Sequence, residues 1–493
     1  MSSLDAWSKL GELAHSVADR GQKQLSYDAI QSGKRRLAAN NLRSEDNELI
    51  SPKRKQLLAQ TRDVMRNIAI ARWAVGKHND FVSRLSFASK TGLDFDYEVE
   101  ARMREWMNNP TQCDIRKQHT FARILRMAES RAVLDGDHLL IRCKGRKIQQ
   151  IESDRIRTAK IGIKDRVVHG CRQDQYGATT AYQVHSRGPN GYGYEYQGDV
   201  PAEHCMFHAY YPSERADQTR GVGLMVAGIN NLIDAYEWEG SAKATEKARA
   251  IWAAVFKTSA AEGIGEYTDW GNKYSVKFGD GPQKLELDKD DTLEFMSSDT
   301  PGGNTVAFFN ACIGIGLKAL DLPLCFYDET LTNFFGQRAQ FILYIESCKS
   351  KRDNLRTNIL FPLTKWLLRC WVADGTLKLP AGLTGTTLNR FPYQWRPAGI
   401  PWWNPLQEVT AQLMAIRGGL ANYEDTYLEV TGQDWFENID RLAEQQAYIN
   451  KKGVILDQAL AAVMAATLIG QQQQQDQSNP LASLPVAGQG MAL

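Results

Sequence analysis

The sequence predicts an α+β chain: helices first, an antiparallel sheet after them, then long helices around a small β insertion. Three observations carry this. From Gln56 apolar residues recur at near-helical spacing; from Asp137 the period shortens and glycine-centred turns appear; and from Val222 helical spacing returns over long stretches. A chain of 493 residues is long for a single core and implies roughly three structural units. Apolar residues at 43% and charged residues at 24% are ordinary for a packed protein, which confines expected disorder to short segments.

Residues 1–20 have the pattern of a short amphipathic helix, followed by a polar basic arm, "GKRRLAANNLRSEDNELISPKRK", expected to lie over a surface. In "LLAQTRDVMRNIAIARWAV" the residues Leu58, Val64, Ile68 and Trp73 stand among polar ones at helical spacing. Two further helical runs cover Tyr97–Met107 and His119–Asp135, the second ending at Gly136. "DHLLIRCKGRKIQQIESDRI" reads as a hairpin turning at Lys144-Gly145-Arg146, and "AYQVHSRGPNGYGYEYQGDVP" as another strand pair around a glycine-rich turn. From Val222 one stripe holds Val222, Met225, Ile229, Leu232, Ile233 and Tyr236; the helix is expected to run on through "GSAKATEKARAIWAAVF", with Gly240 a candidate break.

Three short strands follow, in which Tyr274, Val276 and Phe278, then Leu285 and Leu287, then Leu293 and Phe295 carry the apolar side. "PGGNTVAFFNACIGIGLKALDLP" is a return helix stopped at Pro323, "LCFYDETLTNFFGQ" an irregular loop, and Arg338–Trp371 a long helix that Pro362 should kink. "RFPYQWRPAGIPWWNP" crosses to a helical segment over Leu406–Ile469, and the glutamine-rich tail after it is low-complexity.

Composition excludes several classes. With 59 Lys and Arg against 57 Asp and Glu, the formal charge of +2 provides no global attraction to nucleic acid or anionic membrane. Eight scattered cysteines without a C-x-x-C pair argue against a zinc ribbon or a disulfide scaffold and predict reduced thiols. The first residues lack the apolar core of a signal peptide, and no window approaches a membrane span.

The chemical motifs fail one by one. Gly221-Val222-Gly223 and Gly314-Ile315-Gly316 lack the lysine and hydroxyl of a phosphate loop, and Gly221 follows an irregular stretch instead of the buried strand of a dinucleotide fingerprint. These glycines are read as a turn into a helix with close packing. His204 and His208 stand four apart, in a segment that reads as strand or loop. The carboxylate clusters Asp135–Asp137 and Asp288–Asp291 are the kind a nuclease uses on paired metals, but both fall where turns are expected and are read as solvated. No catalytic, metal-binding or cofactor-binding residue is assigned, and no cofactor is expected.

The ordered motifs resemble the lambda-type portal proteins of tailed bacteriophages, from about Arg62 to Trp403. "RDVMRNIAIARWAV" resembles the family's early Arg-Asn helix, and "DGDHLLIRC…KIQQIESDRI" its D-G-[DE] strand pair closing on Q-x-I-E-x-D. "VPAEHCMFHAYYPSERADQTRGVGLMVAGINNLIDAYEWEGSA" resembles its histidine, R-G-V and Asp-Tyr succession, and "LPLCFY…NFFGQRAQFILY" its later Arg-Ala helix start. This chain departs by having Gly223 where serine is common, Arg215-Ala216-Asp217 where proline-glycine is common, and Phe334-Phe335-Gly336 where small polar residues are usual.

The resemblance implies a dodecameric ring at one capsid vertex, each subunit a portal-type α+β fold. Its parts are an arm (1–55), a wing (56–230 and 338–403, the latter with the kinked helix), stem helices (231–258 and 304–321), a β-rich clip (259–303), a channel loop (322–337), a helical crown (404–470) and a tail (471–493). It implies a non-enzymatic channel for DNA packaging and ejection, located in the virion and, during assembly, in the host cytoplasm. The implied partners are further copies of the chain, double-stranded DNA without sequence specificity, major capsid protein and scaffold, large terminase and head-tail adaptor, with no membrane.

On this plan Lys318 and Arg338 touch passing DNA, and Asn333, Phe334 and Phe335 form the constriction, or else the two phenylalanines anchor the loop in a subunit interface. Lys273, Lys277, Lys284 and Lys289 fall to terminase or adaptor contact, and Arg220, Gly221 and Gly223 to the wing–stem joint. Near-neutral charge suits a conduit, because a strongly basic lining would trap DNA through counterion release. The alternatives are another virion ring component such as a head-tail adaptor, and a metal-dependent nuclease.

Overall fold

The structure, a computed structural model, describes residues 43–91, 95–159, 166–188, 190, 193–251, 255–257, 292–294, 303–328, 330, 333–380, 391–400 and 404–453. The chain divides into two compact units that meet between Trp395 and Arg396.

In the first unit α1 (Glu45–Glu48) is a single turn capped by Ser44. Then α2 (Ser51–Asn67) opens with Pro52, whose missing N–H has no helical partner to lose at that position, and turns Arg54, Leu58, Thr61 and Val64 inward. The helix expected to continue instead breaks: Ile68 is extended (φ −104°, ψ 109°), and α3 (Ala69–Val82) starts beyond it. The break re-aims the chain, so Ala71, Ala74, Val75 and His78 are buried while Trp73 is only partly covered.

After β1 (Leu85–Ser89), α4 (Phe95–Asn108) buries Phe95, Val99, Met103 and Trp106, the i, i+4, i+8, i+11 row of one helical face. Next come α5 (Pro110–Cys113), capped by Asn109, and α6 (Phe121–Asp135), which stops at Gly136 with φ +94°.

β2 (Asp137–Cys143) and β3 (Lys147–Glu152) form the expected hairpin, with Cys143 opposite Lys147 and Gly145 at φ 73° in the turn. β4 (Val167–Val168), β5 (Cys171–Gln173), β6 (Thr179–Arg187) and β7 (Tyr194–Pro201) make one antiparallel sheet in that order. β8 (Cys205–Ala209) pairs with β2 to give a second sheet, β3-β2-β8. Because β2 is central and covered on both sides, its alternation is apolar on both faces. Leu140 enters the main core, while Leu139 and Ile141 meet Ile151, Tyr182 and Val184 in a second core that joins the two sheets.

A 3-10 turn, Leu224–Gly228, leads into α7 (Ile229–Ile251), which runs unbroken through Gly240. Of the expected stripe, Met225, Ile229 and Leu232 are buried, but Tyr236 is half exposed because Ala235 takes the inward position. β9 (Val255–Lys257) and β10 (Thr292–Glu294) pair antiparallel ahead of α8 (Gly303–Lys318). The expected strands at Tyr274–Phe278 and Leu285–Leu287 lie outside the described residues.

α9 (Phe334–Leu355) begins four residues earlier than expected, because Asn333 caps it by accepting from the Gly336 N–H at 2.8 Å. Pro362 sits in the first turn of α10 (Phe361–Ala373), and its missing N–H is accommodated by a π turn at Arg356–Leu360. β11 (Tyr393–Pro397) pairs with β1.

In the second unit the expected helical segment resolves into α11 (Pro405–Arg417), α12 (Tyr423–Thr431) and α13 (Trp435–Lys452). Gly419 and Gly432, both near φ +71°, end the first two helices, and Asn422 and Asp434 cap the next two. Residues 454–493 lie outside the description.

Candidate functional site

The D-G-D sequence that closes α6 anchors the turn through which the chain enters α7. It was expected as a solvated turn, but Asp135 and Asp137 are 3% and 0% exposed. The correction has a simple cause: α2 lies across the turn and offers Arg54 and Arg62 from one side, two helical turns apart. Arg62 donates to Asp135 at 2.6 Å and to Asp154 at 2.7 Å. Arg54 donates to Asp137 at 2.8 Å and to the Gly221 carbonyl at 3.1 Å.

Arg220 completes the site. Its guanidinium is fully buried and uses all five donors: Asp137 twice at 2.8 and 2.7 Å, the carbonyls of Ile156 and His169 at 3.0 and 2.8 Å, and the Ser153 carbonyl at 3.0 Å. One side chain thus ties the chain entering α7 to both sheets. Burial opposes ionisation of Asp137, but Arg220 and Arg54 outweigh it and hold its carboxyl at about 2.

The glycines fit the same construction. A Cβ on Gly221 would lie 2.0 Å from the Gly136 carbonyl oxygen, and one on Gly223 2.3 Å from that of Leu134. The backbones of the joint therefore touch directly, and glycine is required by contact as well as by turning. Tyr210 N–H donates to the Gly136 carbonyl at 3.0 Å and Val222 N–H to the Tyr210 carbonyl at 2.9 Å, fixing the path into α7.

Beyond the joint, α7 and α8 approach closely where Gly228 faces Gly316: a Cβ on Gly228 would be 2.4 Å from the Gly316 carbonyl oxygen. Lys318 is exposed in the last turn of α8. The following loop is shorter than expected. Leu322, Pro323 and Cys325 are buried, and Phe326 packs on Phe81, Phe341 and Tyr344. Asn333, Phe334 and Phe335 form the capped start of α9, not an irregular loop; their rings touch at 5.7 Å, with Phe334 44% and Phe335 79% exposed. Arg338 is half-buried one turn further on. Lys273, Lys277, Lys284 and Lys289 lie outside the described residues.

One buried group had only a faint sequence signal: Glu129 interrupts the apolar stripe of α6. It is 0% exposed and accepts from the Tyr210 hydroxyl at 2.7 Å, with the Nε2 atoms of His78 and His208 at 2.7 and 2.8 Å. Burial works against its charge, yet the two histidines hold its carboxyl well below the usual range. The pair His204 and His208, noted for its spacing, is not brought together: His208 is on Glu129 in β8, and His204 is exposed. Among the described residues no group of three or more His, Cys, Asp or Glu side chains is placed to hold a metal ion, and no helix is long and apolar enough to cross a membrane.

Comparison with known proteins matches residues 32–325 to a family described as phage portal protein, lambda family. No curated protein matches. Among solved structures the chain is similar to one in the neck of an empty GTA particle, with TM-score 0.43, 14% identity, and coverage of 74% of this chain and 90% of that one. It is also similar to a chain of the native gene transfer agent virion, with TM-score 0.41, 14% identity, and coverage of 76% and 98%. A third similar chain is an HK97 family phage portal protein from Corynebacterium diphtheriae, with TM-score 0.29, 11% identity, and coverage of 55% and 80%. The assignment rests on the family match, which spans more than half of the sequence and contains the D-G-D turn, Arg220 and α7: the chain belongs to the lambda family of phage portal proteins.

Proposed function

We propose that the chain closes into a ring at one capsid vertex and that double-stranded DNA passes through the ring during packaging and ejection. In this reading α7 and α8 are the stem, the segment between them the clip, residues 56–230 and 338–403 the wing, and α11–α13 the crown. Terminase and then head-tail adaptors dock at the clip, where Lys273, Lys277, Lys284 and Lys289 fall. Lys318, Asn333, Phe334, Phe335 and Arg338 face the channel. The role is structural, and the chemical work of moving DNA belongs to a separate terminase.

The observation that carries the ring is α8. Its sequence, GNTVAFFNACIGIGLK, is apolar on nearly every side, yet among its described residues only one side, that of Cys312, Ile313 and Leu317, is buried. Val306, Phe308 and Ile315 are 52%, 56% and 57% exposed, beside a shallow cleft formed with Ala307, Ala311 and Gly314. Ala339, Ile342 and Leu343 extend an exposed apolar stripe along α9. A lone surface helix normally has a polar outer face. Head-to-tail packing in a closed ring covers such patches in every copy and leaves none over.

Light scattering with negative-stain imaging tests this on the wild type and on Ile315→Asp. A closed ring with a central hole is expected for the wild type, and folded smaller species for the variant. A variant that still forms the ring removes α8 from the interface; a wild-type monomer that cuts DNA with magnesium sinks the portal reading.

A further inference from the structure

A second surface is unlike the rest of this near-neutral chain. Between α3, the turn after α5, α6 and the end of β6 lies a groove of about 990 Å³, lined by seven arginines against two carboxylates. Both carboxylates are already engaged. Asp114 accepts the backbone N–H groups of Arg116, Gln118 and His119, all at 3.0 Å, and Glu152 is engaged by Arg187.

The arginines divide in two. Arg126, Arg131 and Arg187 are paired with acidic groups, and Arg155 donates to the His185 carbonyl at 2.8 Å. Arg72, Arg116 and Arg123, one from each of three separate elements, pair with no carboxylate among the described residues, and all three are exposed. Burial, followed by the neighbouring Arg187 and Arg116 charges, pushes the Arg155 guanidinium below its ordinary value despite Asp154 and Glu152. The groove thus carries an excess of positive charge, and three of its arginines have no paired carboxylate among the described residues.

Its floor has groups that want partners of a particular kind. Asn79 is 1% exposed; its Nδ2 donates to the Val75 carbonyl and to Ser130 Oγ, both at 2.8 Å, which fixes the amide, and its Oδ1 has no donor. His138 is 2% exposed, neither ring nitrogen makes a hydrogen bond of normal geometry, and Gln150 is the polar neighbour that acts on it. Burial, then Arg131 and His208, lowers His138 to about 3, so at neutral pH it offers one N–H and one lone pair.

We propose that this groove binds an acidic peptide segment of a partner protein. The arginine forks match carboxylates in two-pronged geometry. The unpartnered Asn79 oxygen requires a donor, which a peptide supplies through its backbone N–H. A DNA phosphodiester edge presents acceptors only. No phenylalanine, tyrosine or tryptophan lines the groove, so it lacks the stacking platform by which single-stranded nucleic acid is held. The assignment is independent of the α8 face, and its test does not require ring formation.

The test is fluorescence anisotropy on the full chain with three labelled probes: an alternating Glu-Gly peptide, an oligo-dT of equal charge, and a DNA duplex. The peptide is expected to bind in a salt-sensitive manner and more tightly than either DNA. Arg72→Ala/Arg116→Ala/Arg123→Ala is expected to weaken it about tenfold or more with the melting temperature unchanged. Arg116→Ala alone, on an exposed turn, should move affinity in the same direction and serves if the triple variant loses structure. DNA binding tighter than the peptide through these arginines overturns the proposal in favour of a nucleic-acid surface. Absence of peptide binding, or binding indifferent to the substitutions, makes the groove a solvated face.

Discussion

Replacing Asp137 by alanine leaves two guanidiniums without their shared counter-charge, one of them fully buried. Asp137 accepts from Arg54, twice from Arg220, from Ser153 Oγ at 2.7 Å and from the Gly221 N–H at 3.1 Å. Removing one partner of a buried pair commonly costs ~3–5 kcal/mol because the other charge stays desolvated. With two arginines stranded, Asp137→Ala is expected at the upper end, about 5 kcal/mol. The readout is the urea midpoint of the full-length chain, followed by the fluorescence of the buried Trp106 and Trp395. A loss below about 1 kcal/mol refutes the argument, since it would mean water already reaches the cluster.

Two controls sharpen it. Removing all three charges together, with Arg54→Met, Asp137→Leu and Arg220→Met, should recover much of the loss, as apolar replacement of buried ionic groups often does. The acid limb supplies the second. Asp137 is depressed from ~3.9 in an unfolded chain to about 2. Its contribution, roughly 2.5 kcal/mol, is therefore complete above pH ~4 and is lost as pH falls through about 2. Asp137→Asn should flatten the stability curve over that window and leave its neutral-pH side parallel to wild type.

Gly228→Ala places a methyl 2.4 Å from the Gly316 carbonyl oxygen, so the α7–α8 pair must separate at a cost of ~1–3 kcal/mol; Gly240→Ala, with nothing within 4 Å, should stabilise α7 by ~0.5–1 kcal/mol. Thermal melts of both variants check the sign of each effect. Phe334→Ala/Phe335→Ala removes two largely exposed rings and is expected to leave ring assembly intact while impairing DNA packaging or retention, read from particle DNA content. Loss of the ring in that variant would assign the rings to a subunit interface and end their channel role.

The sequence by itself determined the order of elements, because hydrophobic period and turn chemistry are local. The hairpin at Lys144–Arg146, the stop of α6 at Gly136 and the row Val99, Met103 and Trp106 were readable from neighbours a few residues apart. The ordered motifs also carried the family. What the sequence did not determine was the meaning of Asp135, Asp137 and Arg220. Their partners are 73 and 83 positions away, and a D-G-D turn is solvated or buried according to whether another element crosses it. Here α2 does, so two acidic turn residues become the anchor of the joint.

Helix ends show the same division. Asn333 was read as part of an irregular loop, but its side chain caps α9, which begins at Phe334. Pro362 signalled a defect, while the packing of the surrounding helices decided that a π turn would absorb it. The arginine groove was least legible of all: its seven charges come from five stretches of chain, near-neutral composition hides them, and only the fold brings them to one wall.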